Sequence, residues 1–126
     1  MVPSKRVLIV DDSAEQRRAL REIALASGRY AVVGEADNAT EALRLYRAEK
    51  PDLVLLDIVM PGIDGIQAAR QLIGIDPTAR IIMVTSGGQE ALVMESLVAG
   101  AIEFVARPFA AESVIGALDR VAGVAP

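Results

Sequence analysis

The chain has 126 residues, 52% of them hydrophobic and 24% charged, with a net charge of −4 and neither cysteine nor histidine. That suffices for one domain with a real core, is too apolar for disorder, and lacks the basic balance of a direct nucleic-acid binder. Without Cys or His there are no disulfides, thiolate nucleophiles, histidine bases or usual transition-metal sites, so any chemistry falls to carboxylates, hydroxyls, Lys, Arg and a hard cation.

No apolar run approaches the roughly 20 residues that span a bilayer, and the first six residues lack the apolar region and cleavage site of a secretory signal. The expectation is one cytoplasmic domain over residues 1–126, without an output domain or membrane contact.

Strand and helix signals alternate along the chain. Residues 6–10 read as a first strand, running out in Asp11-Asp12. Ser13 then opens a helix as its N-cap, with Gln16 reaching back in a capping box. That helix continues through Leu20, Ile23 and Ala24, and Gly28 ends it. Residues 30–35 form a second strand. Asn38 and Glu41 repeat the capping signature, and Ala39, Ala42, Leu43 and Tyr46 share one helical face. Pro51-Asp52 breaks this helix. Residues 53–56 are continuously apolar, the mark of a strand buried on both faces, and they end in Asp57. Pro61-Gly62 makes a loop, and a helix from Asp64 turns Ile66, Ala69 and Ile73 inward. After a turn at Asp76-Pro77, residues 81–84 are a fourth buried strand, ending in Thr85-Ser86. Gly87-Gly88 is a loop before a helix that reaches Val98 and stops at Gly100. Residues 102–106 are a fifth strand, followed by Arg107-Pro108. A last helix carries Val114, Leu118 and Val121.

Such alternation predicts an α/β fold: five parallel strands covered on both faces by five helices, with right-handed crossovers. Ligands of open α/β sheets bind beyond the carboxyl ends of the strands. Those ends here carry Asp11, Asp12, Asp57, Thr85, Ser86 and Arg107. Three converging carboxylates repel one another unless a cation neutralises them or one is kept for chemistry. Oxygen ligands of this kind suit Mg²⁺. One acid can serve as nucleophile, while the hydroxyls and Arg107 bind phosphoryl oxygens. Taken singly, each residue also has a bland role: Asp11-Asp12 as turn acids, Thr85 as a cap, Arg107 as a surface residue before proline. Their coincidence at four ends of one sheet favours the functional reading.

Four segments carry a family resemblance: Leu8-Ile9-Val10-Asp11-Asp12-Ser13, Asp57-Ile58-Val59-Met60-Pro61-Gly62-Ile63-Asp64-Gly65, Met83-Val84-Thr85-Ser86 and Phe104-Val105-Ala106-Arg107-Pro108-Phe109. In this order and spacing the chain resembles response-regulator receiver domains of two-component systems, especially the small stand-alone chemotaxis, CheY-like type. The resemblance implies a flavodoxin-like doubly wound sheet of order 2-1-3-4-5. It implies that Asp57 accepts a phosphoryl group from a histidine kinase or phosphotransfer protein. Mg²⁺ would lie on Asp11, Asp12, Asp57 and the backbone carbonyl of Val59, with Asp12 the more direct ligand. By the same resemblance Thr85 is the switch hydroxyl, Phe104 stands at the aromatic switch position, and small Ser86 leaves room for the donor. The fourth helix, fifth strand and fifth helix would form the face that meets a downstream protein. The peptide before Pro108 is expected to be cis. Chemistry would be limited to self-phosphorylation and autodephosphorylation, not turnover of a separate substrate.

Two positions depart from the family pattern. Arg107 replaces a nearly universal lysine; its fork can pair bidentately with Asp57, or hold phosphoryl oxygens in another geometry. Phe104 lacks a tyrosine hydroxyl; it either favours a buried switch rotamer or is an ordinary packed strand residue. In the fourth helix, Ala91-Leu92-Val93-Met94 is too apolar for one buried face, which reads as a partner surface or as ordinary exposed residues. Other functions compete. A constitutive scaffold independent of phosphorylation stays open because of Arg107. An aspartate-nucleophile phosphatase wants a second acid two residues beyond its nucleophile, where Asp57 has Val59 and Asp11 has Ser13. A nucleotide- or flavin-binding module wants a phosphate cradle where Asp11-Asp12 would repel it.

Overall fold

A computed structural model describes residues 4–60, 64–86 and 90–123. The expected loops at Pro61-Gly62 and Gly87-Gly88 and the tail from Val124 lie outside these residues.

The described chain runs β1 (Lys5–Val10), α1 (Ala14–Ala26), β2 (Tyr30–Ala36), α2 (Ala39–Glu49), β3 (Leu53–Asp57), α3 (Gly65–Ile75), β4 (Ile81–Ser86), α4 (Glu90–Val98), β5 (Glu103–Arg107) and α5 (Ala111–Ala122). The five strands pair in parallel in the order β2-β1-β3-β4-β5. This is the flavodoxin-like fold expected from the sequence.

Continuous apolar strands dictate the layering. In β3, Val54 and Leu56 face a core shared with α2 and α3, while Leu53 and Leu55 face a second core shared with α1 and α5. Each such side chain contributes about 1.5–3 kcal/mol by leaving water. Only a sheet covered on both sides rewards a strand without polar alternation.

Helix starts follow their caps. Ser13 accepts from the Gln16 amide at 3.3 Å, Asn38 from the Glu41 amide at 2.9 Å and Asp64 from the Gln67 amide at 2.9 Å. The reciprocal arm of the expected capping box is not made at Ser13, where Gln16 instead lines an acidic cavity. Glu41 likewise turns to Arg44, one turn along the same exposed helix face. Gly28 follows α1 with φ +76°, in the left-handed region that glycine enters without steric cost.

Strand ends differ usefully from the sequence expectation. The ladder reaches Asp57, paired with Val84, and Ser86, paired with Arg107. The sheet's own hydrogen bonding therefore extends one or two residues past the apolar runs. Ile102, expected inside the fifth strand, precedes it; its amide still bonds to the Ile81 carbonyl at 3.0 Å. No helix among the described residues is long and apolar enough to cross a membrane.

Candidate functional site

Asp57, the last residue of β3, is buried at 2% exposure beside fully buried Asp11, while Asp12 is exposed. Carboxylate oxygens of the three lie within 4.8 Å of one another. They share a cavity with Ser13, Gln16, Val59, Ser86 and Arg107. The three acids, Val59, Ser86 and Arg107 thus meet as expected.

Asp11 and Asp57 are held by local backbone contacts. The Asp11 amide donates to the Ala36 carbonyl at 3.0 Å, and the Asp11 carboxylate accepts from the Ser13 amide at 2.9 Å. Arg17 donates to the Asp11 carbonyl at 2.6 Å while pairing with Glu35 at 3.4 Å. The Asp57 carboxylate accepts from the Val59 amide at 3.2 Å. Behind Asp57, Gly65 opens α3 in close contact with β3. A Cβ on Gly65 would stand 2.0 Å from the Asp57 carbonyl oxygen, so no side chain fits there.

Electrostatics single out Asp57. Burial, then the neighbouring Asp11 charge, pushes its carboxyl up to about 6, against the opposing pull of the Val59 amide and Arg107. Two unit charges about 4 Å apart interact by roughly 4 kcal/mol at an effective dielectric of 20, so unneutralised acids this close oppose ionisation. Arg107 supplies neutralisation. Burial works against its charge, but Asp57 and Asp11 outweigh that and raise its pKa.

The Arg107 contact is not the bidentate pair with Asp57 that sequence reasoning allowed. One terminal nitrogen, Nη2, lies 2.7 Å from Asp11 Oδ2 and 3.2 Å from Asp57 Oδ2. Its Nε is buried and has no hydrogen-bond partner. Reaching from the end of β5 past β4 to the ends of β3 and β1, the side chain meets two acids rather than the flat edge of one.

Thr85 is buried, and its hydroxyl donates to the Ser86 carbonyl at 3.0 Å. It does not line the acidic cavity. Phe104 is 45% exposed, which corrects the idea that its apolar ring settles in a buried rotamer. β5 is an edge strand, and α4 packs on α3 and β4. Within α4, Leu92 and Val93 pack inward while Met94, Leu97 and Val98 are exposed, with Ile102 alongside Phe104 just beyond. The Arg107-Pro108 peptide is cis, as expected.

Sequence reasoning gave Gln16, Arg17 and Gly65 no site role. Gln16 and Arg17 sit on the first turn of α1, whose capping pattern is a signal for helix start rather than for chemistry. The close approach of Gly65 depends on how α3 docks, which local sequence does not encode.

Fold and site together define a doubly wound α/β domain that gathers a hard-oxygen cluster at the carboxyl edge of its sheet. Residues 7–119 match the profile of the response regulator receiver domain, and the chain belongs to this family. It is similar to the chemotaxis protein CheY of Thermotoga maritima, 46% identical over 117 residues, covering 93% of this chain and 97% of that one. The receiver domain of a putative response regulator NarL from Mycobacterium tuberculosis superposes with a TM-score of 0.90 at 31% identity, covering 97% and 98% of the two chains. A CheX–CheY–BeF3–Mg²⁺ complex from Borrelia burgdorferi contains a chain with TM-score 0.88 at 33% identity, covering 94% of this chain and 90% of that one. The protein is thus a CheY-like receiver, of the class that works in two-component signalling.

Proposed function

We propose that the chain is a phosphorylation-operated switch in which Asp57 takes a phosphoryl group from a histidine kinase or phosphotransfer protein. One observation carries this reading: a buried carboxylate fixed at the end of β3, within a cluster of three acids faced by one guanidinium. An Asp57 oxygen attacks phosphorus and the P–N bond to the donor imidazole breaks, its electron pair leaving on nitrogen. The new O–P bond makes an acyl phosphate.

The donor set fits Mg²⁺, being all hard oxygen. Asp11, Asp12, Asp57 and the Val59 carbonyl would hold the ion, and the similar CheY found with Mg²⁺ supports that choice. When bound, the ion neutralises charge on the carboxylates and the transferring group. Arg107 and Thr85 bind phosphoryl oxygens in this reading, and Ser86 leaves the donor room. Hydrolysis of the acyl phosphate resets the site without a separate substrate. The phosphorylated state then shifts the Thr85 and Phe104 arrangement. The exposed Met94, Leu97, Val98, Ile102 and Phe104 support a protein-docking face across α4, β5 and α5. In this reading the receiver acts in the cytoplasm.

A small-molecule phosphodonor with Mg²⁺, followed by intact mass, tests this. One phosphoryl adduct is expected on the wild type and none on Asp57→Asn. An unreactive wild type, or an unchanged adduct on the variant, sinks the proposal. The existing Arg107 contact with both acids favours a second reading, a scaffold that binds its partner constitutively. Partner binding unaffected by phosphorylation would select it.

A further inference from the structure

We propose that Arg17 is a positioning residue of the acidic site: by clamping one peptide unit from behind, it aims both Asp11 and Asp12 at the cation they would share. The inference rests on the acidic cavity being a cation site, and it concerns what holds that site in shape.

The clamp is anchored on two regular elements. Arg17 lies in the first turn of α1, where its amide donates to the Ser13 carbonyl at 3.0 Å. Its side chain reaches back to the strand end, and Nη1 donates to the Asp11 carbonyl at 2.6 Å. Nε of the same guanidinium lies 3.4 Å from Glu35 Oε1, while Arg21 Nη1 donates to Glu35 Oε2 at 2.5 Å. Glu35 belongs to β2, in register with Ile9 of β1. A guanidinium is a planar fork, so one nitrogen on the carbonyl and another on the carboxylate fix its orientation.

The clamped carbonyl matters because of what shares its plane. The Asp11 carbonyl and the Asp12 amide form one peptide unit, held flat by resonance. Turning that unit moves the Cα atoms that carry both acids. Asp11 has further holds, its amide on the Ala36 carbonyl and its carboxylate on the Ser13 amide. Asp12 is exposed, and its carboxylate makes no ion pair among the described residues. The aim of Asp12 therefore comes through its backbone, and Arg17 grips that backbone. Asp11 is fully buried, so without Arg17 its carbonyl loses a charge-assisted partner that water does not readily replace.

Arg17 does not line the acidic cavity, so its effect on a cation there is indirect. Charge and position pull in opposite directions. A positive side chain near the site opposes a cation, so on charge alone its removal would tighten binding. Loss of position weakens binding, because Mg²⁺ demands oxygens at about 2.0–2.1 Å in near-octahedral geometry.

Isothermal titration of Mg²⁺ into unphosphorylated wild type and Arg17→Met separates the two. The variant is expected to bind about tenfold more weakly. Equal or tighter binding by the variant, with the wild type still binding, overturns the inference and leaves the cation site standing. Absence of binding by the wild type overturns both. Phosphorylation by a small-molecule donor supplies a second readout. The Mg²⁺ concentration for half-maximal rate is expected to rise about tenfold, while the rate at saturating Mg²⁺ stays unchanged. A lower saturated rate with an unchanged Mg²⁺ requirement overturns the inference. Should Arg17→Met fail to fold, Arg17→Lys decides, since it keeps the charge but offers one nitrogen in place of the fork. Its Mg²⁺ affinity is expected to fall below that of the wild type, and an affinity equal to the wild type overturns the forked clamp.

Discussion

Asp57 costs stability where it serves chemistry. Its carboxyl sits at about 6 in the folded protein, against about 4 in an unfolded chain. The folded state thus binds more protons than the unfolded state between these values. Stability from the protonated group is fully present below about pH 4 and is lost as pH rises through about 6. The gap is on the order of 3 kcal/mol, with little solvent discount for so buried a group. Without metal at pH 7, Asp57→Asn is expected to be more stable than wild type by about 1–3 kcal/mol, and the difference should shrink toward pH 4. Urea titrations of both proteins at the two pH values measure it. A wild type as stable as the variant at pH 7 would contradict the burial and charge account. Protons and metal also compete for this carboxylate, so Mg²⁺ affinity of the wild type should fall as pH drops through about 6, readable by calorimetry.

At the scale of elements, α3 presents two glycines with opposite demands. Gly65 meets the Asp57 carbonyl and the Ile58 Cα, whereas nothing lies within 4 Å of a Cβ placed on Gly74. Gly65→Ala should cost about 3 kcal/mol or more and weaken Mg²⁺ binding, because the end of β3 must move to admit the methyl group. Gly74→Ala should add about 0.5–1 kcal/mol by helix propensity and leave Mg²⁺ binding unchanged. Thermal melts with and without Mg²⁺ separate the two, and an innocuous Gly65→Ala would contradict the packing described. This pair also marks the limit of sequence reading. Helix α3 was legible from Asp64 and the spacing of Ile66 and Ala69, because capping and periodicity are local. Which of its glycines touches the strand was not, since that depends on how distant segments dock. The same division holds for charges. Strand ends announced Asp11, Asp57 and Arg107, but that one nitrogen would serve both acids followed only from where β5 lies. For Phe104, the edge position of its strand outweighed the hydrophobic preference of its ring.

The whole molecule is tied at points far from the acids by its only two tyrosines. Tyr30, at the start of β2, donates to Asp119 of α5 at 2.5 Å, and Arg29 pairs with the same carboxylate at 2.8 Å. Tyr46 of α2 donates to Asp76, just past α3, at 2.8 Å. Burial first, then the carboxylate partner, raises both phenols well above their ordinary value. The neutral phenol is favoured in the fold. Its stabilisation is therefore complete below about pH 10 and declines as pH rises beyond the unfolded-chain value. Ultraviolet absorbance during alkaline titration should show no tyrosinate near pH 10 while the protein stays folded, then both ionising together with loss of circular dichroism. Ionisation of either phenol at an ordinary pKa in the folded protein would break the account.

Because the ladder runs on to Asp57, Ser86 and Arg107, these rungs belong to the sheet itself. Their amides should exchange deuterium only through openings as large as those that expose the core, while exposed Asp12 exchanges through local fluctuation. Asp57, and Asp11 through its amide's bond to the Ala36 carbonyl, therefore keep the slow clock of global unfolding, while Asp12 keeps the fast clock of the surface.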